Sequence, residues 1–295
     1  MPRPSPLPDE LDPNGFRVCD ALAAGVDPGR LRRRDLARPV HGVRTTAALM
    51  SPVAALALVM RPDQHFSHTT AVELWGAPLP RQFEGSLHVT TIGAGPLMRR
   101  PGVVGHRRRS AAAVVLRAGV RVSGPEHAWR ECAGLLSVRQ LVAVGDFLVG
   151  WRGRTTVDAL AATILPGARS VAVARAAVEL IRVGAESAME TWLRLAVVDA
   201  GFPEPELQIE VFDRAGRFLA RVDMGWPELR IALEYDGDYH RERATFEHDQ
   251  RRDNSMTVEG WLVLHVNRGD VDRPAVLFER LRQAFVARSS ARPRA

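Results

Sequence analysis

The stretch RVDMGWPELRIALEYDGDYH, residues 221–240, sets several carboxylates and a histidine around two short apolar runs. Side chains alternate across a strand, so in LRIALEYD the residues Ala232, Glu234 and Asp236 share one face, and Ile231, Leu233 and Tyr235 the other. Strand rise then puts the two carboxylates about 7 Å apart. Asp223 ends the preceding strand, and the connection MGWPEL is short enough to bring it alongside Glu234. Such a cluster repels itself unless a cation neutralises it, and an all-oxygen donor set suits Mg2+ or Mn2+. The chemistry expected of Asp223 and Glu234 is therefore metal binding, with Asp236 beside them; the alternative is that these acids pair with arginines.

The elements that must position these groups lie in the last segment, 165–288. VAVARAAVELIR and SAMETWLRLAVVDAG read as helices, the second closed by Gly201 with Pro203 just beyond. QIEVFD and RFLARVDM alternate as strands joined by a turn at Arg214, Ala215 and Gly216. LRIALEYD is a third strand, ATFEHDQRRDNSMTVEG a helix, WLVLHV a nearly all-apolar strand and FERLRQAFVARS a closing helix. This order predicts an α/β sandwich with a mixed sheet. Ser187 and Glu190 have capping-box spacing before an apolar run, so capping accounts for Glu190 as well as a role in the site does. Asp249 and Arg252 stand three apart on one helical face, which predicts a local ion pair. The alternative for Arg252 is contact with a phosphate.

Ahead of this segment, residues 1–14 are expected to be a disordered tail and 15–48 a small helical unit. FRVCDALAAG predicts one helix, and VDPGRLRRRDLAR a second with Asp27 as N-cap and Arg30, Arg32, Arg33 and Arg34 around Leu31 and Leu36. PVHGVR follows as a wing would. Residues 49–150 read as a mixed α/β middle domain, with helices in SPVAALALVM and SHTTAVELWG and strands in GSLHVTTIG and RAGVRVSG. A helix from SGPEHAWREC toward LVAVGDFLVG closes it, with Ser123 and Glu126 at capping-box spacing. His65, His68, His88 and His106 occur singly without zinc spacing, and are expected to be structural or surface groups.

The chain has 295 residues, a net charge of +6 and 40 basic residues, all arginine. Arginine's planar fork favours a polyanionic partner, nucleic acid above all, although the same usage also fits GC-rich coding. Cys19 and Cys132 form neither a zinc motif nor a disulfide framework, and no apolar run is long enough to span a bilayer, so a cytoplasmic protein is expected.

The segments SAMETWLRLAVVDAGFPEPE, RVDMGWPELRIALEYDG, His240, DQRR and GWLVLHV together resemble a domain family related to the very-short-patch repair endonuclease, within the PD-(D/E)XK nuclease fold. The resemblance implies a divalent-metal site made by Glu190, Asp223 and Glu234, with Asp236, His240, Asp249 and Arg252 at further recurrent positions. One departure matters: the lysine usual two residues after the glutamate is Asp236 here, and no lysine exists in the chain. His240 as a proton carrier or Arg252 as an electrostatic group would have to substitute. At the amino-terminal side, ALAAGVDPGRLRRRDLARPVHGVR, SHTTAVELWGAPLP and LHVTT resemble the winged-helix architecture of abortive-infection type IV antitoxins. The combined expectation is an α/β multidomain protein: an amino-terminal winged helix-turn-helix, a mixed middle segment and a carboxy-terminal PD-(D/E)XK-like sandwich. Its expected activity is Mg-dependent hydrolysis of DNA; the alternative is an inactive, antitoxin-like DNA-binding regulator.

Overall fold

The computed structural model describes residues 5–46, 50–83, 85–109, 113–150, 153–236 and 252–290. The chain divides into two units, Met1–Leu74 with Gln82–Gly124, and Trp75–Arg81 with Pro125–Ala295. The boundary expected near residue 150 thus falls at Gly124. Among the described residues no helix is long and apolar enough to cross a membrane.

In the first unit, β1 (Phe16–Arg17) leads directly into α1 (Val18–Ala23), and β2 (Val43–Arg44) pairs with β1 antiparallel. A small core of Leu11, Phe16, Ala21, Val26, Leu31 and Leu36 holds this region, with Leu7 packed against it. The disordered tail expected over 1–14 is corrected for residues 5–14: Leu7 and Leu11 have an apolar surface to cover, which the proline-rich composition obscures. The second, arginine-bearing helix is also corrected, since only a single 3-10 turn forms, Arg30–Arg32. The N-cap position falls to Gly29, not to Asp27, whose Oδ1 instead accepts the N–H groups of Gly29 and Arg30 at 2.7 and 3.2 Å in the turn before it. The carbonyls of Leu31 and Arg32 are taken by the Arg44 and Arg38 guanidinium groups, and Leu31 and Leu36 lack helical spacing, so nothing propagates the turn.

The rest of this unit is a sheet with helices beside it. The elements are α2 (Pro52–Ala57), β3 (Gln64–Phe66), α3 (His68–Leu74), β4 (Leu87–Ile92), β5 (Val103–Arg108), β6 (Val114–Arg117) and β7 (Val120–Ser123). Strand order is β5-β4-β3-β7-β6, with β4/β5 and β3/β7 parallel and the other pairs antiparallel. The β6–β7 hairpin turns on Ala118 and Gly119, both at positive φ, as the twist of a tight hairpin requires.

The second unit begins with helices α4 (Pro125–Cys132), α5 (Val138–Val149), α6 (Val157–Ala162) and α7 (Val171–Leu180). The single helix expected through 123–150 is two, and the reciprocal capping box belongs to Ser137 and Gln140 at the start of α5. Then come α8 (Ala188–Asp199), β8 (Glu206–Phe212), β9 (Phe218–Trp226), β10 (Ile231–Tyr235), α9 over residues 252–258, β11 (Leu262–Val266), α10 (Arg268–Asp272) and α11 (Ala275–Ser290). The sheet order is β11-β10-β9-β8; β10 and β11 run parallel and the other neighbours antiparallel, a mixed sheet. Ile231 and Leu233 pack with Leu193 and Val197 of α8 and Leu277 and Leu281 of α11. Ala232 packs on the other face with Met256 of α9. Alternation in β10 therefore puts helices on both faces of the sheet.

Candidate functional site

The site grows from a fault in the sheet. β10 pairs with β9 through Ile231↔Trp226, Ala232↔Gly225 and Leu233↔Met224, and the same register would next set Glu234 opposite Asp223. There the ladder stops, and the Tyr235 N–H donates instead to Asp223 Oδ2 at 2.7 Å. At this point the side-chain alternation of β9 inverts. Met224 and Trp226 pack into the cluster with Leu233, whereas Ala220 and Val222 pack into the opposite one with Ala232. β8 inverts beside it: Leu207 joins the first cluster, Ile209 the second, and Gln208 between them takes φ 51°. Asp223 thus lies inside its strand, not at its end, on a locally strained segment of the kind that gathers at functional sites.

Glu190 comes to the same place from the first turn of α8. Ser187 caps the helix, accepting the Glu190 N–H at 3.1 Å. The Glu190 carboxylate does not complete the box: its Oε2 accepts from the Glu186 N–H at 2.9 Å and from Gln208 Nε2 at 3.4 Å. At 8% exposure, burial pushes its carboxyl up to about 7, the charges of Asp223 and Glu186 adding to the rise. Burial likewise raises Asp223, helped by Glu186 and opposed by the Tyr235 N–H and Arg252. Burial also raises Glu234, with Arg252 and His265 opposing and Asp223 and Asp253 reinforcing.

Around Glu234 the structure adds groups that sequence reasoning missed. The parallel register sets Glu234 beside His265 of β11. His265 Nε2 lies 2.9 Å from Asp253 Oδ2, and its Nδ1 3.4 Å from the Asp236 carboxylate. Burial lowers the affinity of His265 for a proton, but Asp236, Asp253 and Glu234 together outweigh it and raise its pKa. Ligand atoms of Glu234, Asp253 and His265 lie within 4.8 Å of one another. The signal available in the sequence was one histidine in an otherwise apolar strand, WLVLHV. Arg252 of α9 contacts Glu234 Oε2 and lies 3.4 Å from Asp253. Glu234 Oε1, on a side chain 7% exposed overall, is buried without a hydrogen-bond partner among the described residues.

Of the expected site residues, Glu190 and Glu234 each feel the charge of Asp223, but the ligand atoms that lie within 4.8 Å of one another are those of Glu234, Asp253 and His265; Asp236 lies beside His265, and Arg252 contacts Glu234. His240 and Asp249 lie outside the described residues. In the first unit, Arg30 is committed internally, donating to the Ser5 carbonyl at 2.7 Å and pairing with Asp35 at 2.9 Å. Arg32 and Arg34 are exposed and Arg33 half-buried.

A scan of protein-family models finds no match. Two uncharacterized proteins of Mycobacterium tuberculosis, from strains CDC 1551 and H37Rv, are each similar to the chain, 35% identical over 108 residues. That stretch is 36% of this chain and 40% of either relative, so the chain matches well under half the length of these curated relatives.

Proposed function

We propose that the chain is a divalent-metal-dependent nuclease acting on DNA, with Asp223 and Glu234 holding Mg2+ or Mn2+ and Glu190 assisting. The observation that carries this reading is the buried, unpartnered Oε1 of Glu234 in a cluster of carboxylates that all resist ionisation. A buried acceptor without a donor costs about 1–3 kcal/mol, which a hard cation would offset. The oxygen donor set fits such an ion. Bound there, it would supply Lewis-acid polarisation of a phosphoryl oxygen and of water.

The chain's own groups then divide the remaining work. Asp223 is fixed by the Tyr235 N–H and Glu190 by the Glu186 N–H, so neither carboxylate must reorganise to bind. His265, its pKa raised between Asp236 and Asp253, is able to carry a proton to or from the reacting phosphate. It takes the part expected of His240. Among the described residues Arg252 is paired with Glu234, and it would stand in for the missing lysine. The exposed Arg32 and Arg34 and the net charge of +6 suit contact with phosphate backbone. The resemblance to the very-short-patch repair endonuclease group accords with this reading.

One observation favours a second reading, an inactive DNA-binding regulator of antitoxin-like type: the Arg252 guanidinium already occupies Oε2 of Glu234. Nicking of supercoiled and single-stranded DNA with Mg2+ or Mn2+, by wild type and an Asp223→Asn, Glu234→Gln variant, separates the two. The nuclease reading expects cleavage by wild type alone. Absence of both cleavage and Mn2+ binding in wild type, with salt-sensitive DNA binding retained, transfers the protein to the regulators.

A further inference from the structure

The first unit holds a second constellation, made of the histidines that looked isolated in sequence. His88 and Thr90 share one face of β4, and the parallel register sets His106 of β5 beside Thr90. His65 of β3 stands on the other side of the same threonine. From the start of α3, His68 lays its ring on that of His106, with centroids 3.7 Å apart. His88 Nδ1 and His106 Nε2 are 2.9 Å apart, and one ring nitrogen from each of His68, His88 and His106 falls within 4.8 Å of the others.

We propose that His68, His88 and His106 form a Zn2+ site with an open fourth position.

The donor set is all imidazole, which suits zinc and its late first-row neighbours and disfavours Mg2+ or Ca2+. A tetrahedral ion at about 2.1 Å from each nitrogen needs the nitrogens about 3.4 Å apart. The His88–His106 pair must open by about half an ångström and the widest separation must close, changes within reach of χ rotations.

Two further observations point to a ligand. His65 is fully buried, and neither of its ring nitrogens has a hydrogen-bond partner among the described residues. Such an orphan in a native fold calls for a water or an ion nearby. His68 is held at φ 51°, a strained conformation for a residue with a side chain, and strain of this kind collects at ligand clamps. Around the cluster, Ser67 Oγ lies 3.0 Å from His68 Nδ1 and accepts from Thr90 Oγ1 at 2.8 Å, an outer shell that fixes ring orientation. Arg108 is one charged neighbour of His68. Three protein nitrogens leave the fourth position of a tetrahedral ion to an exchangeable ligand. His68 and His106 are only half-buried, so that position is reachable from solvent.

The test is zinc uptake by the full chain, read by mass spectrometry after exhaustive dialysis and by titration. Three proteins are compared: wild type, His106→Gln, and the Asp223→Asn, Glu234→Gln variant of the other site. Wild type and the carboxylate variant should retain one equivalent. His106→Gln should bind at least as much more weakly as the ~100-fold that loss of an outer partner alone can cause. Failure of wild type to retain zinc, or equal retention by folded His106→Gln, overturns the proposal. If His106→Gln loses its circular dichroism, X-ray absorption of zinc-loaded wild type decides: a shell of three imidazoles supports the site, and a shell with one imidazole or none, as Glu234, Asp253 and His265 would give, sinks it. Zinc lost only from the carboxylate variant would assign the metal to the other unit, and overturn the proposal too.

Discussion

Glu190 illustrates how much a single side chain reveals through its surroundings. It is almost fully buried, hydrogen-bonded to a backbone amide, and still harder to ionise than an ordinary carboxyl, with its pKa moved from 4.5 to about 7. Below pH 4.5 the group is protonated in folded and unfolded chains alike; above it, the unfolded chain ionises freely and the folded one resists. Without divalent ions, stability should therefore fall by about 3 kcal/mol as pH rises from 4.5 to 7, the cost of ionising the group in place. Glu190→Gln cannot ionise, so its stability curve should lack that fall and cross above wild type near neutral pH. Urea melts across the window in chelator measure it, and parallel curves would remove Glu190 from the list of strained carboxyls. At this scale Asp223 and Glu234 were legible, because alternation and a short connection force them together. His265, Asp253 and the histidine trio were not: their meeting depends on parallel registers, and a parallel crossover leaves no local trace of register in sequence.

The elements were read more easily than the way they join. Strands β8 to β11 and helices α8 and α11 announce themselves by period, turn residues and caps. The inversion of β8 and β9 at Gln208 and Asp223 does not, since glutamine carries no signal for positive φ. Nor did the arginine run reveal that its carbonyls would go to Arg38 and Arg44. Gly225 is where the element scale meets the site. A Cβ there would collide with the Ile231 carbonyl oxygen and come within 3.0 Å of Ala232 Cα, both backbone atoms that cannot swing aside. The close approach of β9 and β10 follows from their tight link, Pro227–Leu229 with Arg230 in the left-handed region. Gly225→Ala should cost about 1–3 kcal/mol, the range for forced overpacking. It should also weaken Mn2+ binding, because the ladder set at Gly225 runs through Leu233↔Met224 to the point where Asp223 and Glu234 leave it. Chemical denaturation and Mn2+ titration of the variant check both effects; an unchanged midpoint would mean that the strands have slack which the register does not suggest.

The division at Gly124 has a physical cause within the second unit, a buried ion pair. Arg194 of α8 and Asp146 of α5 lie 2.8 Å apart with both side chains 1% exposed. Asp146 also accepts from the Arg182 N–H at 2.8 Å and the Thr191 hydroxyl at 2.9 Å, and Arg194 donates to the Leu180 carbonyl at 2.9 Å. This network locks α5, ahead of residue 165, to α8 of the last segment. Residues 48 apart in sequence gave no hint of it, which is why 165 looked like a natural start. Removing one partner strands the other charge in the interior, at a cost of about 3–5 kcal/mol. Arg194→Met in the intact chain should therefore lower stability by that amount. Its hydrogen exchange should rise both in Val138–Val149 and in Ile231–Tyr235, since one cooperative unit spans both. Exchange that rises only in the helix, with the strand protected as in wild type, would make the sandwich a separate folding unit. It would return the boundary to where the sequence suggested it.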